Sequence, residues 1–236
     1  RKCRACWGTD MFEIDWSSIV QSRALLFTGM WITLKITVVA ICCGLVWGTV
    51  LAVFSIARNR LLNVFAQSYV SLFRSIPLVM LLLWFFLIVP QFLKAIFDLS
   101  PSVDIRLVSA MVAFSLLEAA FFCEIMRAGI QSLPKGQFHA ARALGMNPLQ
   151  SMRFIILPQA FKAMLPIVLT QCIVIFQDTS LVYVIALGDF FRRATSIGER
   201  DGTIVQMLIF AGVVYWIICS LLTLVVKLIQ LRAAHD

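Results

Sequence analysis

Long apolar runs separated by short polar joints dominate the pattern of hydrophobic and polar positions along the chain. A helix needs about 20 mostly apolar residues to cross a bilayer core that is about 30 Å thick, and five runs meet this length. The pattern therefore predicts an all-α integral membrane protein with five transmembrane helices. The predicted spans are 28–57, 61–96, 107–126, 164–187 and 203–226, and the second is interrupted by Arg74, Pro77, Pro90 and Lys94.

Positively charged residues are concentrated in alternate joints, and this predicts how the chain is oriented. Arg58 and Arg60 lie in the first joint, and the third joint contains basic residues without a single acidic one. Such joints face the cytoplasm by the positive-inside rule. The second and fourth joints mix both signs and are expected outside. We therefore expect the N-terminus outside and the C-terminus inside.

Composition supports this class and excludes several others. The chain is 61% hydrophobic and 14% charged, against roughly 45–50% and 25% in soluble domains. This excludes a disordered protein, a disulfide scaffold and a conventional soluble enzyme. The net charge is +8, but the basic residues lie between the apolar runs rather than on one face, so no nucleic-acid partner is expected. Cys3 and Cys6 form a lone CxxC without a nearby histidine, so no metal site is expected.

The joint between the third and fourth runs has a pattern of its own. It is about 35 residues long, which is too long for a simple connection. Residues 137–144 favour a helix that Gly145 can end, and Asn147 followed by Pro148 can begin a second helix. We expect Pro158 to interrupt that second helix. The sequence predicts a helix–turn–helix on the cytoplasmic face that docks in a groove of another protein.

This joint resembles the Glu-Ala-Ala loop of ABC importer permeases. The resemblance depends on the small residues of the first helix, the following glycine and the final Ile-x-Leu-Pro, at the spacing of that family. His139 stands where the family most often has glutamate. The resemblance implies a coupling loop at 132–158 that contacts a separate ATPase. The implied ATPase-coupling residues are His139, Ala140, Ala141, Gly145, Leu157 and Pro158.

Other stretches extend the resemblance over most of the chain. "FRSIPLVMLLLWF" from Phe73, "EIMRAGIQS" from Glu124 and "LPQAFKAMLP" from Leu157 are similar to the polar amino-acid branch of these permeases. "FQDTSLVYVIALGDFFRRATSIGERDGT" from Phe176 and "MFEIDWSSI" from Met11 look most like glutamate/aspartate permease subunits. The resemblance implies a type I ABC importer permease fold and ATP-driven import of acidic or polar amino acids across the bacterial inner membrane.

The resemblance also implies partners. These are a second permease subunit in a homodimer or heterodimer, a cytoplasmic ABC ATPase dimer, a periplasmic amino-acid-binding protein and membrane lipid. The binding protein is expected to dock at the outer joint 188–202, an amphipathic segment expected along the outer surface. The chain has no GxxxxGK[ST] phosphate loop, so ATP and Mg²⁺ are expected on the ATPase, with no cofactor and no enzymatic activity in this chain.

Three regions are expected along the chain. Residues 1–10 are basic, and the first methionine is Met11; we expect residues 1–10 to be non-native or an over-extended start. Residues 11–27 are expected to form a short periplasmic segment. The permease transmembrane domain is expected at 28–232.

Two polar faces inside the spans are candidates for the substrate pathway. Arg74 is suited to bind a carboxylate with both arms of its guanidinium, and the alternative pairs it permanently with Glu118 or Asp178. The polar residues of the fourth span lie within an arc of about 120°, and they form either helix-to-helix hydrogen bonds or a wall of the pathway. The predicted pathway residues are Gln67, Ser71, Arg74, Thr170, Gln171, Gln177 and Asp178.

Further acidic residues lie in the third span. Glu118 lies near its middle, where an ionised group costs about 2.5–3.5 kcal/mol, and the sequence does not identify its partner. Glu124 and Arg127 are interpreted as a structural i,i+3 pair. An ion-coupled secondary amino-acid carrier, with protons passing Glu118 and Asp178, is the alternative function. An intramembrane enzyme is disfavoured because both histidines lie outside the spans.

Overall fold

The computed structural model describes residues 17–91 and 105–233, and every regular element in these ranges is helical. This confirms the predicted all-α class. Four helices are long and apolar enough to cross a membrane as single elements: Arg23–Ser55, Arg106–Ser132, Pro148–Ile185 and Ile204–Gln230. They correspond to the first, third, fourth and fifth predicted spans.

The helices are named in chain order. α5 is the third span, and α6 and α7 belong to the predicted coupling loop. A π-helical turn, Met152–Ile156, joins α7 to α8, and a 3₁₀ helix, Thr179–Ile185, follows α8. The bounds are α1 Ser17–Gln21, α2 Arg23–Ser55, α3 Arg60–Ser75, α4 Leu78–Leu87, α5 Arg106–Ser132, α6 Lys135–Ala143, α7 Pro148–Ser151, α8 Leu157–Asp178, α9 Phe190–Asp201 and α10 Ile204–Ala233.

The second predicted span is a broken helix. α3 and the helix that begins at Leu78 meet at an angle of 99°. Pro77 lies at the corner, where its ring supplies no N–H and disfavours a helical conformation for the preceding residue. Ile76 accordingly has an extended ψ of 127°. The described part of the chain has five spans when this bent pair is counted as one.

Helix α5 lies at the centre of the fold, where α2, α3, α4 and α8 pack against it. Phe114 and Phe122 on α5 are fully buried. Gly44 and Gly48 on α2 permit a close approach to α5, because a Cβ atom on Gly48 would lie only 2.7 Å from the carbonyl oxygen of Ala119. Small residues four positions apart allow such backbone contact between membrane helices.

Helix α10 exposes large apolar side chains along much of its length. Leu208, Val213, Trp216, Leu221 and Val225 are all exposed. Water would make such a surface costly, whereas the acyl chains of lipids solvate it. The exposed face is therefore suited to contact lipid or another membrane helix.

The prediction that Pro158 interrupts the second helix of the loop was wrong. The helix continues without a break from Pro148 to Ile185. The π-helical turn ends at Ile156, two residues before Pro158, and its wider coil accommodates a proline that supplies no N–H. The predicted coupling loop is thereby joined to α8 through a continuous helix.

Some expectations fall outside the described residues. They are those for residues 1–10, for the first part of the 11–27 segment, for Lys94, Asp98 and Asp104 in the second joint with its mixed charges, and for the second histidine, His235. The described part of 11–27 is helical, because α1 begins at Ser17 and α2 begins at Arg23. The first membrane helix thus begins five residues before its predicted start at 28.

Candidate functional site

Gln171 on α8 is hydrogen-bonded to Glu118 on α5. The Gln171 Nε2 atom donates to Glu118 Oε2 over 2.9 Å. Glu118 is 1% exposed, and its Cβ would lie 3.0 Å from a Cβ placed on Gly44. Gln171 is therefore the partner that the sequence did not identify for Glu118. The polar residues of α8 indicated that this helix makes polar contacts. The partner of Glu118 could not be identified from them, because the pairing depends on how α5 and α8 are aligned.

The predicted polar stripe on α8 faces two different neighbours. Gln171 faces α5, and Asp178 lies on the same side of the helix by its seven-residue spacing. Gln177 instead lines a cavity of about 630 Å³ between α8 and α10, together with Tyr215, Thr223 and Lys227. The hydroxyl of Thr170 donates to the carbonyl oxygen of Pro166 over 3.0 Å. Only part of the stripe therefore faces the centre of the fold.

The polar face of α3 is exposed, and Arg74 lies at its end beside the Pro77 corner. The guanidinium carbon of Arg74 lies 5.5 Å from the centroid of the Phe121 ring, a cation–π distance. Among residues 17–91 and 105–233, Arg74 forms no ion pair with Glu118 or Asp178. The permanent pairing is thus not formed, and binding of a substrate carboxylate by Arg74 stays a prediction.

Gln67 and Ser71 line a cavity of about 460 Å³ between α3 and α5, which we call the α3–α5 cavity. Glu124 and Arg127 line it as well, and their Oε2 and Nη2 atoms are 2.6 Å apart. The predicted i,i+3 pair is therefore confirmed. The pair also lies beside two of the predicted pathway residues, which the sequence did not reveal. The other lining residues are Ser55, Ala66, Val70, Cys123 and Gln131.

The predicted coupling helix is present as α6, and Gly145 ends it as expected. Gly145 has φ of +74°, and its N–H donates to the carbonyl of Arg142 over 2.9 Å. The N–H of Met146 donates to the carbonyl of Ala141 over 3.1 Å. These two bonds form the Schellman motif, which requires the left-handed conformation that glycine adopts easily.

The next helix begins as the sequence predicted. The Asn147 side chain accepts from the Gln150 N–H, and the Gln150 side chain accepts from the Asn147 N–H, with Pro148 at the first helical position. His139, Ala140 and Pro158 are exposed, Leu157 is half-buried, and Ala141 is fully buried. The caps hold the loop in one shape while several of the predicted coupling residues stay accessible.

Asp189 caps α9 at the predicted outer end of the bundle. It is fully buried, and its Oδ2 atom accepts from the Phe191 N–H over 3.0 Å. The Phe190 N–H donates to Thr33 Oγ1 on α2 over 3.1 Å. Burial raises the pKa of Asp189 to about 6, against the lowering effect of the backbone N–H groups. The segment expected along the outer surface therefore has a buried face, which includes Phe190.

Within the described ranges, no group of three His, Cys, Asp or Glu side chains is placed to hold a metal ion. The described cysteines, Cys42, Cys43, Cys123, Cys172 and Cys219, are free thiols.

Comparison with known proteins identifies the family. Residues 44–235 match the family model "Binding-protein-dependent transport system inner membrane component". The matched range contains Gly44 and Gly48 of α2, the broken second span and the predicted coupling loop. The chain belongs to this family. It is an inner-membrane component of a binding-protein-dependent transport system.

Curated relatives agree with this family. Over 224 residues the chain is 59% identical to the glutamate/aspartate import permease protein GltK of Escherichia coli O6:H1, covering 95% of this chain and all of the relative. It is 36% identical to the arginine transport system permease protein ArtQ of Bacillus subtilis, over 92% of this chain and 96% of the relative. The resemblance to the polar amino-acid branch is therefore confirmed.

Solved structures share the fold. An amino acid ABC transporter crystallised with histidines matches with a TM-score of 0.79 at 28% identity, covering 93% of this chain and 99% of the matched chain. The inward-facing methionine ABC transporter MetNI matches with a TM-score of 0.69 at 22% identity, covering 88% and 97%. The predicted type I importer permease fold is confirmed. These neighbours are ABC transporters rather than secondary carriers, so the alternative function is not supported.

Proposed function

We propose that this chain is the permease subunit of an ATP-driven importer that moves glutamate and aspartate across the bacterial inner membrane. The 59% identity to GltK along nearly the whole chain carries this proposal. The complete importer contains a second permease subunit, an ABC ATPase dimer and a periplasmic binding protein. ATP and Mg²⁺ bind to the ATPase, and this chain has no catalytic residue of its own.

The substrate passes between the polar faces of α3 and α8. Arg74 offers the planar fork of its guanidinium to a carboxylate, and it forms no ion pair with an acidic side chain within the described residues. Gln171 has its amide oriented by Glu118. Both features suit an acidic amino acid, which carries two carboxylates and one ammonium group.

The coupling loop contacts the ATPase through α6 and the turn after it. Leu144 and Leu149 are 78% and 74% exposed beside the capped turn at Gly145. Apolar side chains that project from a polar joint favour burial in a groove of a partner. His139 occupies the usual glutamate position on the same helix, so a charged contact at this point differs from that of other family members.

Displacement of the loop reaches the pathway through α5 and α8. The loop continues into α8 without a break, and α5 and α8 cross closely at Gly129. A Cβ atom on Gly129 would lie 3.1 Å from the carbonyl oxygen of Ala160. Because the two helices are tightly packed at this contact, movement of the loop displaces both α5, which carries Glu118, and α8, which carries Gln171. Alternating access requires such a displacement.

Reconstitution in liposomes tests the proposal. The complete complex should accumulate labelled glutamate only with ATP on the ATPase side and binding protein on the other side. Excess unlabelled aspartate should compete, whereas arginine should not. An ionophore that collapses ion gradients should leave the uptake unchanged. Accumulation by this chain alone, driven by an ion gradient without ATP, would overturn the proposal.

A further inference from the structure

We infer that the α3–α5 cavity is a second binding site, on the inward side of the pathway, for the zwitterionic α-amino-acid group of the substrate. This inference rests on the proposed function and deepens it. In it, the Arg127 guanidinium binds the α-carboxylate and the Glu124 carboxylate binds the α-ammonium group. Gln67 and Ser71 provide hydrogen-bonding groups for the side chain of the substrate.

The charges in the cavity are complementary to a zwitterion. Arg127 and Glu124 carry opposite charges 2.6 Å apart, the separation of two groups that a single amino acid could bridge. Their side chains are 38% and 31% exposed, so a ligand can reach both. The remaining polar lining consists of hydroxyl and carboxamide groups, which accept or donate hydrogen bonds without adding net charge.

The cavity lies where a binding site on the inward side of the pathway is expected. Glu124 and Arg127 lie in the last third of α5, close to Ser132, where the coupling loop begins. Gln67 and Ser71 share a face of α3 with Arg74, which lies seven residues, or about 10 Å along the helix, beyond Gln67. A substrate released at Arg74 would therefore meet this cavity next on its way inward.

The existing ion pair makes the site reversible. Without substrate, each charge neutralises the other, so neither is left unpaired in the cavity. A zwitterion exchanges one ion pair for two and leaves the net charge unchanged. The gain is the difference between similar interactions, so the site binds weakly and releases its ligand easily. A site from which substrate leaves toward the cytoplasm needs weak binding, whereas the site that first binds the substrate does not.

Equilibrium binding of radiolabelled L-glutamate to the purified permease–ATPase complex tests the inference. The complex is kept without nucleotide and without binding protein. We expect saturable binding that weakens about tenfold or more in Arg127→Gln and in Glu124→Gln, because each removes a charge-assisted hydrogen bond. Arg127→Lys should lose less because it keeps the charge. The matched control Lys162→Gln removes an exposed cation outside the cavity and should bind like the parent.

Competition by analogues provides a second measurement that needs no variant. Glutarate lacks the ammonium group, and γ-aminobutyrate lacks the α-carboxylate. Each should compete for the site about tenfold less well than unlabelled glutamate, because each satisfies only one member of the ion pair. Equal competition by either compound would overturn the inference.

Other results also count against the inference. These are absence of saturable binding, equal weakening in Lys162→Gln, or binding that is lost in Arg74→Gln but kept in Arg127→Gln. The last result would assign all of the bound glutamate to the region of Arg74. Failure of the proposed function differs from these outcomes, because ATP-dependent uptake by the unaltered complex would then be absent.

Discussion

Gln171 and Glu118 lie 53 positions apart in the chain and are joined within the bundle by a 2.9 Å hydrogen bond between the amide and the carboxylate. The bond connects α8, which continues from the coupling loop, with α5 at the centre of the fold. It therefore links the helix that continues from the predicted coupling loop to the helix against which most others pack. Because the bond occupies one N–H of Gln171, it also determines which amide atoms remain for a substrate.

Removal of the Glu118 carboxylate should destabilise the subunit. Glu118→Ala leaves the Gln171 amide without its acceptor and creates a void, and the loss of one partner of a buried hydrogen bond costs about 1–3 kcal/mol. Glu118→Gln keeps an acceptor oxygen and should cost less. Thermal unfolding of the purified subunit in detergent would measure the difference. Equal melting temperatures for both variants and the parent would show that the bond contributes nothing.

Adding a single methyl group at the contact between α2 and α5 should also destabilise the subunit. A Cβ on Gly48 would lie 2.7 Å from both the Ala119 carbonyl oxygen and the Phe122 Cβ, so Gly48→Ala forces the helices apart. Overpacking of this kind costs about 1–3 kcal/mol. Gly212→Ala on α10 is the matched control, since no heavy atom lies within 4 Å of its Cβ position. The same melting experiment should show a loss for Gly48→Ala alone.

Features determined by local sequence could be predicted. The apolar runs located the membrane helices because helix length follows from bilayer thickness. Gly145 and the Asn147–Pro148 pair marked where α6 ends and α7 begins, because caps depend on the residues beside them. The family motifs predicted a coupling loop, and the family match over residues 44–235 includes that segment, while its contact with an ATPase stays a prediction.

Features that depend on register between helices could not be predicted. The polar stripe of α8 indicated Gln171 but not its partner, because any polar residue facing α8 could have served. Pro77 signalled a break, whereas its 99° angle depends on packing against α5. The close contact of Gly44 and Gly48 with α5 was not predicted, because it depends on which helix packs against that face of α2.

Asp189 should make the stability of the outer end depend on pH. Its pKa is raised from 3.8 to about 6 by burial, so the folded chain holds this proton more tightly than the unfolded chain does. Between about pH 4 and pH 6 the unfolded chain ionises first, and the free energy of unfolding therefore falls as the pH rises. Above pH 6 both forms are ionised and the loss stops.

Asp189→Asn isolates this effect because asparagine keeps the cap acceptor for the Phe191 N–H. The melting temperature of the variant relative to the parent should rise from pH 4 to pH 6 and then stay level. Melting curves recorded at steps across this range would measure the difference. A constant difference at all pH values would show that Asp189 does not retain its proton on folding.

Gly145 should couple ATP hydrolysis to transport without being needed for membrane insertion. Its φ of +74° costs a residue with a Cβ roughly 1–2 kcal/mol, so Gly145→Val should disrupt the Schellman motif and tilt α6 away from its docked orientation. The amount of glutamate imported per ATP hydrolysed should fall severalfold, while the amount of protein in the membrane stays the same.

Two further variants serve as controls for this prediction. In Gly145→Asn the amount of glutamate imported per ATP should fall less, because asparagine tolerates the left-handed conformation. Gly136→Ala lies within α6, with open space at its Cβ position, and should transport normally because alanine favours the helix. Unimpaired uptake in Gly145→Val would show that the shape of this turn does not transmit the force of the ATPase.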